Sequence, residues 1–175
     1  MRVYRYPGRA LAGDYLRAAM GLCIGLGVIL FVAPSPAIIL IFGGLACLFG
    51  FYGFRTVQRQ LTRVAVSDAE IRDTGFGTRV MAWGDLRRIK LRYFGTRRQK
   101  RERGGYMQLT LKGVGTSLTY DSGLEGFDYL AWRAAKALRE NGRDIDPTSA
   151  GNLLTLGLDA DGEMPPPDAA GARDW

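Results

Sequence analysis

Residues 18–54 form a run of 37 positions without a single Asp, Glu, Lys or Arg. A helix rises about 1.5 Å per residue and the hydrocarbon core of a bilayer is about 30 Å thick, so one membrane span needs roughly 20 apolar residues. The run is therefore close to two spans long. A Pro-Ser-Pro motif at residues 34–36 divides it, and proline is tolerated at the start of a helix but not inside one. We predict transmembrane helices over residues 15–33 and 37–54, after an N-terminal segment of residues 1–14.

Basic residues flank this predicted hairpin, whereas its connecting turn has none. They are Arg2, Arg5, Arg9 and Arg17 before the first span, and Arg55, Arg59 and Arg63 after the second. Because basic flanks are retained in the cytoplasm, we expect both termini on the cytoplasmic side of the membrane. A cleaved signal peptide also begins with a basic and an apolar stretch, but a second apolar span would not follow it at once.

Small residues recur four positions apart within the two predicted spans. Gly21 and Gly25 form one such pair, and Ala46 and Gly50 form the other. Pairs of this kind let helix backbones approach closely. Two interpretations stay open: the pairs pack the hairpin against itself, or they mediate assembly with other chains.

After residue 63 the sequence changes to short alternating segments separated by turns. We predict strands over residues 63–66, 70–73, 79–83, 86–94, 106–111 and 116–120. Strands at roughly ten-residue spacing with tight turns are typical of a meander, sandwich or barrel. Apolar residues then recur at helical spacing, which predicts a helix over residues 126–140.

Several short motifs carry a family resemblance over residues 58–142. Two spans precede the strands, Trp83-Gly84-Asp85-Leu86 forms a turn into a long strand, and Ser122-Gly123-Leu124-Glu125-Gly126-Phe127 leads into the last helix. In this order the chain resembles membrane-anchored bacterial PH-like (pleckstrin homology) domain proteins. The resemblance implies two packed antiparallel sheets closed by a C-terminal helix. It also implies a binding or assembly scaffold without a shared catalytic motif, and it assigns no binding residue.

The composition argues against an enzyme. The chain has no His, which excludes Ser-His-Asp and Cys-His nucleophile pairs and any His-containing metal site. Its two thiols, Cys23 and Cys47, lie inside the uncharged run and are expected to be packing residues. No paired carboxylates stand out. We therefore expect no catalysis, no cofactor and no metal.

Positive charge is concentrated in residues 87–103. Its nine cations are Arg87, Arg88, Lys90, Arg92, Arg97, Arg98, Lys100, Arg101 and Arg103. Because the domain follows directly from the membrane, each cation near an anionic leaflet would gain about 1 kcal/mol. We predict contact with anionic phospholipid headgroups; a solvated loop and contact with an acidic protein partner stay open. Nucleic acid is not expected, because few aromatic residues accompany the cations.

Residues 143–175 have the opposite charge. They hold seven acids and two arginines, a net −5, so residues 1–142 carry +12 of a chain whose overall charge is +7. A Pro-Pro-Pro run and an Ala/Gly-rich end predict disorder. Within this tail the apolar segment 153–158 is either a docking peptide or an incidental sticky patch. We further hypothesise that the acidic tail folds back onto the basic loop.

The sequence therefore predicts a non-catalytic, two-span inner-membrane protein with a cytoplasmic PH-like domain and a disordered acidic tail. The domain is expected to bind anionic lipid headgroups or a protein partner at the membrane surface. The alternative is an accessory or assembly subunit of a membrane protein complex, or a homo-oligomer, whose basic loop contacts an acidic protein.

Overall fold

The computed structural model describes residues 1–32, 35–75, 77–95 and 105–158. The chain divides into a helical unit, residues 6–62, and a sheet domain that combines residues 1–5 with the chain from residue 63 onward. The helical unit is thus inserted into the sequence of the sheet domain. The predicted domain boundary at residue 58 misses this, because it leaves residues 1–5 out.

The helical unit is a hairpin of α1 (Gly8–Phe31) and α2 (Pro36–Leu61). Both helices are longer than the predicted spans and are long and apolar enough to cross a membrane. The start of α2 follows from its sequence: the Ser35 hydroxyl accepts a hydrogen bond from the Ile38 N–H, and Pro36 occupies the first turn.

Small residues bring the two helices together. A Cβ placed on Gly25 would lie 3.0 Å from the Ala46 Cβ and 3.0 Å from the Phe42 carbonyl oxygen. A Cβ on Gly21 would overlap the ring of Phe49. The prediction that these small residues pack the hairpin against itself is confirmed.

A polar cluster around Asp14 joins the two helices at the end where the chain enters α1 and leaves α2. The Tyr52 hydroxyl donates to Asp14 Oδ1 over 2.6 Å, and Arg59 Nη1 lies 3.6 Å from Asp14 Oδ2. Tyr15 donates to Gln60 in the same region. These contacts link α1 to α2 near the cytoplasmic ends that the basic flanks predict.

The first sheet is antiparallel and has the order β1-β2-β3-β4. Its strands are β1 (Arg2–Arg5), β2 (Arg63–Val66), β3 (Glu70–Thr74) and β4 (Thr78–Ala82). Strand β1 comes from the predicted N-terminal segment and pairs with β2 in a register that places Arg5 opposite Arg63. The sequence did not indicate this strand, because its pairing partner β2 follows only after the inserted helical unit, residues 6–62.

The second sheet is antiparallel and has the order β5-β6-β7. Its strands are β5 (Arg88–Phe94), β6 (Tyr106–Lys112) and β7 (Ser117–Asp121). A short 3₁₀ turn, Trp83–Asp85, leads toward β5. Alternate residues of β5 and β6 are buried, including Ile89, Leu91, Leu109 and Leu111. The prediction of two antiparallel sheets is confirmed.

Asp73 on β3 and Tyr120 on β7 connect the two sheets. The Tyr120 hydroxyl donates to Asp73 Oδ2 over 3.4 Å. Burial raises the pKa of the Asp73 carboxyl above its ordinary value, although this hydrogen bond and the charge of Arg79 favour ionisation.

Helix α3 (Phe127–Glu140) agrees with the predicted helix over residues 126–140. Its apolar face, which includes Leu130, Ala134 and Leu138, is fully buried or nearly so. At its end the Asn141 amide donates to the carbonyl oxygens of Trp83 and Leu86, 2.7 and 3.0 Å away. The helix is thereby joined to the turn that precedes β5.

The predicted disorder of residues 143–175 is wrong for the part of this segment that the structure describes. Helix α4 (Pro147–Thr155) begins at Asp146, whose carboxylate accepts a hydrogen bond from the Ser149 N–H. Leu153 and Leu156 are fully buried and Leu158 nearly so, so the segment 153–158 belongs to the core. It is neither a docking peptide nor a sticky patch, and residues 159–175 lie outside the described residues.

Candidate functional site

Three of the predicted site residues share one face of β5. Arg88, Lys90 and Arg92 alternate with the buried Ile89 and Leu91. Because successive side chains of a strand point to opposite sides, the three cations lie on the face away from the core. Arg88 and Arg92 are exposed, and Lys90 is half-buried.

Strand β6 adds a cation that the sequence pattern did not single out. Lys112 is exposed and lies directly opposite Arg88 in the β5–β6 register. Thr110 lies opposite Lys90, and its hydroxyl is 3.4 Å from that of Thr119 on β7. The alternation of β6 could have placed Lys112 on this face, but only the register brings it to Arg88. We call Arg88, Lys90, Arg92 and Lys112 the cationic face.

The positive charge of this face is largely uncompensated by ion pairs. In the described part of the chain, no carboxylate oxygen lies within 4.0 Å of the charged nitrogens of Arg88, Arg92 or Lys112. A like-charged pair in the first sheet differs in this respect. Arg5 faces Arg63 there, but Arg5 Nε is 3.9 Å from the Glu125 carboxylate.

The charge of Lys90 acts on the carboxyl of Asp146, at the start of α4. Burial opposes ionisation of its carboxyl, but the Ser149 hydroxyl and the N–H groups of Ser149 and Thr148 donate to it. The charge of Lys90 adds to these hydrogen bonds, and together they hold the pKa of Asp146 below its ordinary value. The hypothesis that the acidic tail folds back onto the basic loop stays a prediction, because residues 96–104 of that loop and the acids from residue 159 onward lie outside the described residues.

A stacked aromatic pair lies where β5 ends and β6 begins. The rings of Phe94 and Tyr106 are stacked, with centroids 5.2 Å apart and planes inclined by 13°. They face each other across β5 and β6, and both are exposed. The chain between these strands contains the rest of the basic segment.

The remaining predicted site residues are distributed as follows. Arg87 precedes β5 and is exposed, and its backbone N–H donates to the Lys112 carbonyl over 2.8 Å. Arg97, Arg98, Lys100, Arg101 and Arg103 lie outside the described residues. The structure thus brings Arg88, Lys90 and Arg92 together with Lys112, and it leaves the five loop cations as a prediction.

What this face offers chemically is positive charge with hydroxyl and amide groups beside it. Thr110, Thr119 and Gln108 lie between or next to the cations. Among the described residues there is no group of three or more Cys, Asp or Glu that could hold a metal ion. Arg, Lys and hydroxyl groups are the donors that proteins present to phosphate and carboxylate oxygens.

No family model, curated protein or solved structure matches this chain. The resemblance to PH-like domain proteins therefore stays a prediction, and the functional assignment depends on the geometry of the cationic face.

Proposed function

We propose that this chain is a non-catalytic protein of the bacterial inner membrane whose PH-like cytoplasmic domain binds anionic lipid headgroups. Two antiparallel sheets followed by a helix are compatible with the PH-like expectation. The binding surface in this proposal is the cationic face, extended by the basic segment that follows β5.

The exposure of the hairpin supports the membrane anchor. Large apolar side chains along both helices are exposed, among them Leu30 at 74%, Phe31 at 88% and Leu40 at 78%. In water each square ångström of exposed apolar surface costs about 25 cal/mol relative to burial. A soluble protein rarely leaves so much contiguous apolar surface uncovered, whereas a bilayer covers it.

The connections of the hairpin support a common side for both of its ends. The chain enters α1 from β1 and leaves α2 into β2, and these strands are neighbours in one sheet. A hairpin that spans a membrane and starts and ends at one sheet has both ends on the same side. The basic flanks then favour the cytoplasmic side.

The single observation that carries the binding proposal is the grouping of four exposed or half-buried cations on one sheet face, three of them without a carboxylate partner in the described chain. The domain is covalently joined to the hairpin at both ends of the helical unit. Membrane attachment therefore keeps the lipid at high effective concentration, so weak contacts of about 1 kcal/mol per cation suffice for binding.

The accessory-subunit alternative is favoured by a different observation. The exposed Phe94–Tyr106 stack lies at the end of the cationic face. Aromatic residues beside arginine are enriched at the centres of protein interfaces. In this alternative the same sheet face contacts an acidic surface of a membrane protein partner.

Site-specific photo-crosslinking of the full chain in native membranes tests both proposals. A benzophenone amino acid at Gln108, on the cationic face, should form adducts with anionic phospholipid, identified by mass spectrometry. The same group at Val80, exposed on β4, is the matched control. Adducts that disappear when Arg97, Arg98, Lys100, Arg101 and Arg103 become Gln support lipid binding through the loop as well. A protein adduct of defined identity supports the alternative, and the absence of both the lipid and the protein adduct contradicts both proposals.

A further inference from the structure

We propose that Arg88 and Lys112, with Lys90 beside them, hold one phosphate group of an anionic phospholipid headgroup. This inference rests on the lipid-binding function proposed above and assigns a place on the sheet to the headgroup. It depends on described residues alone and not on the loop between β5 and β6.

The Arg88–Lys112 pair is unfavourable for the fold by itself. The two residues are direct cross-strand partners, and side chains in such positions have Cβ atoms about 5 Å apart. Like charges directly opposite each other destabilise a sheet. Since no carboxylate lies within 4.0 Å of either cation in the described chain, this repulsion is not offset by an ion pair. An anion between them would convert the repulsion into attraction.

The neighbouring positions suit a phosphate. Lys90 is two residues from Arg88 on the same strand, a separation of about 7 Å, so three cations surround one point of the sheet. Thr110 lies beside Lys112 on the same face, and Ser117 lies opposite Lys112 on β7. Phosphate oxygens accept from guanidinium, ammonium and hydroxyl groups alike.

The acids near this point limit the site to one end of the face. The charge of Lys90 lowers the pKa of the Asp146 carboxyl at the start of α4, so this acid belongs to the Lys90 row of the sheet. Asp121 is opposite Gln108, which in turn is opposite Arg92, so Asp121 belongs to the Arg92 row of the sheet. The Arg88–Lys112 row has neither acid among its register partners, which makes it the part of the face best suited to an anion.

A lipid is the source of phosphate that the molecule favours. An exposed sheet face does not enclose a free ion, and an open cationic surface binds best to a surface that carries many charges. In the proposed function the apolar hairpin lies in the membrane, and two chain connections join it to this domain and keep the domain near the membrane surface. The free phosphate ion becomes one arm of the test.

Thermal unfolding of the full chain in lipid nanodiscs tests the inference and is followed by tryptophan fluorescence, to which the buried Trp83 of the sheet domain contributes. Nanodiscs of phosphatidylcholine are compared with nanodiscs that also contain phosphatidylglycerol. The wild-type domain should unfold at a temperature a few degrees higher when phosphatidylglycerol is present, because a bound ligand stabilises the folded state. The Lys112→Gln variant should show two changes of opposite sign. In phosphatidylcholine it should unfold at a higher temperature than wild type, and it should lose most of the gain from phosphatidylglycerol.

Lys136→Gln is the matched control, because Lys136 is an exposed cation of α3 that already has a partner, Glu140, 3.9 Å away. It should keep the full gain. A wild-type chain without any gain overturns both this inference and the lipid-binding function. If Lys112→Gln keeps the gain while Gln at the five loop cations removes it, the function stands and this inference is wrong. The inference is also wrong if Lys112→Gln is no more stable than wild type in phosphatidylcholine, or if inorganic phosphate alone reproduces the gain.

Discussion

Gly126 has a φ of 68° and lies directly against the ring of Tyr4. A Cβ at this position would overlap the ring, and glycine is the residue that adopts positive φ without strain. The adjacent Glu125 N–H donates to the Arg5 carbonyl over 3.1 Å. These contacts hold β1 against the segment that leads into α3.

Replacing Gly126 with Ala should therefore destabilise the sheet domain by more than the backbone conformation alone explains. The positive φ costs about 1–2 kcal/mol and overpacking against Tyr4 about 1–3 kcal/mol more. Gly115→Ala is the matched control, since Gly115 has a φ of 72° but a Cβ added there would meet nothing within 4 Å. Chemical unfolding of the full chain in nanodiscs measures the unfolding free energy of each variant. Equal losses in the two variants would show that contact with Tyr4 adds nothing to the cost at Gly126.

At the scale of single elements, α4 covers the free edge of the second sheet. Strand β5 is an edge strand, and its Leu91 N–H and carbonyl group have no strand partner on that side. The Ser149 hydroxyl accepts from the Leu91 N–H over 2.9 Å, and the Asn152 amide donates to the Leu91 carbonyl over 2.7 Å. The helix thus satisfies an edge that would otherwise be open to pairing with another chain.

Asn152→Ala should lower the unfolding free energy of the sheet domain by about 1–3 kcal/mol, because it leaves the buried Leu91 carbonyl without its donor. Thr155→Ala serves as the control, since the exposed Thr155 hydroxyl donates to the Gly151 carbonyl within α4. Hydrogen exchange should accelerate at the Leu91 amide in Asn152→Ala and not in Thr155→Ala. Unchanged exchange in both variants would mean that α4 does not protect this edge.

The helical hairpin depends on the close approach at Gly25. A larger side chain there meets the backbone of α2, so Gly25→Leu should push the helices apart. Gly27→Leu should not, because nothing lies within 4 Å of that position. The chain's two cysteines, Cys23 on α1 and Cys47 on α2, are both exposed and serve as spin-label sites for the interhelical distance. A distance distribution in Gly25→Leu as narrow and short as in Gly27→Leu would contradict the packing.

For the whole molecule, the sheet domain is discontinuous in sequence and the hairpin is inserted between β1 and β2. The two residues at the insertion, Arg5 and Arg63, are direct cross-strand partners. A two-residue turn is the ordinary connection between antiparallel partners of this kind. The hairpin therefore replaces what would otherwise be a tight turn.

Joining residues 1–5 to residues 63–158 through an Asn-Gly turn should yield a soluble, monomeric sheet domain. Residues 63–158 without β1 should be less stable and prone to association, because the edge of β2 and the buried side chains of Val64 and Val66 lose their cover. Light scattering measures the molar mass of each protein in solution, and thermal unfolding measures its stability. Equal molar masses and equal unfolding temperatures would show that β1 is dispensable for the fold.

Much of this architecture could be predicted from local pattern. The strands β2 to β7 and helix α3 have alternating or helical periodicity that short windows of sequence reveal. The start of α4 carries a capping sequence, Asp146 followed by Pro147 and Ser149, but the acidic, proline-rich surroundings favoured disorder. Its buried leucines are explained only by the edge of β5, which no local window contains.

The candidate site, too, could be predicted from the sequence only in part. The run of basic residues on β5 is visible in the sequence, and strand alternation puts Arg88, Lys90 and Arg92 on one face. Lys112 is 24 positions further along the chain than Arg88, so only the pairing of β5 with β6 reveals it as part of that face.

The sequence by itself determined the apolar hairpin, the six strands after it and the amphipathic helix α3, because each depends on the composition or periodicity of neighbouring residues. Only the tertiary structure decided that residues 1–5 complete the first sheet, that α4 covers β5, and that Lys112 faces Arg88. These three features depend on strand register and on contacts between distant residues. Their free energy comes from burial and hydrogen bonds that exist only once the chain has folded.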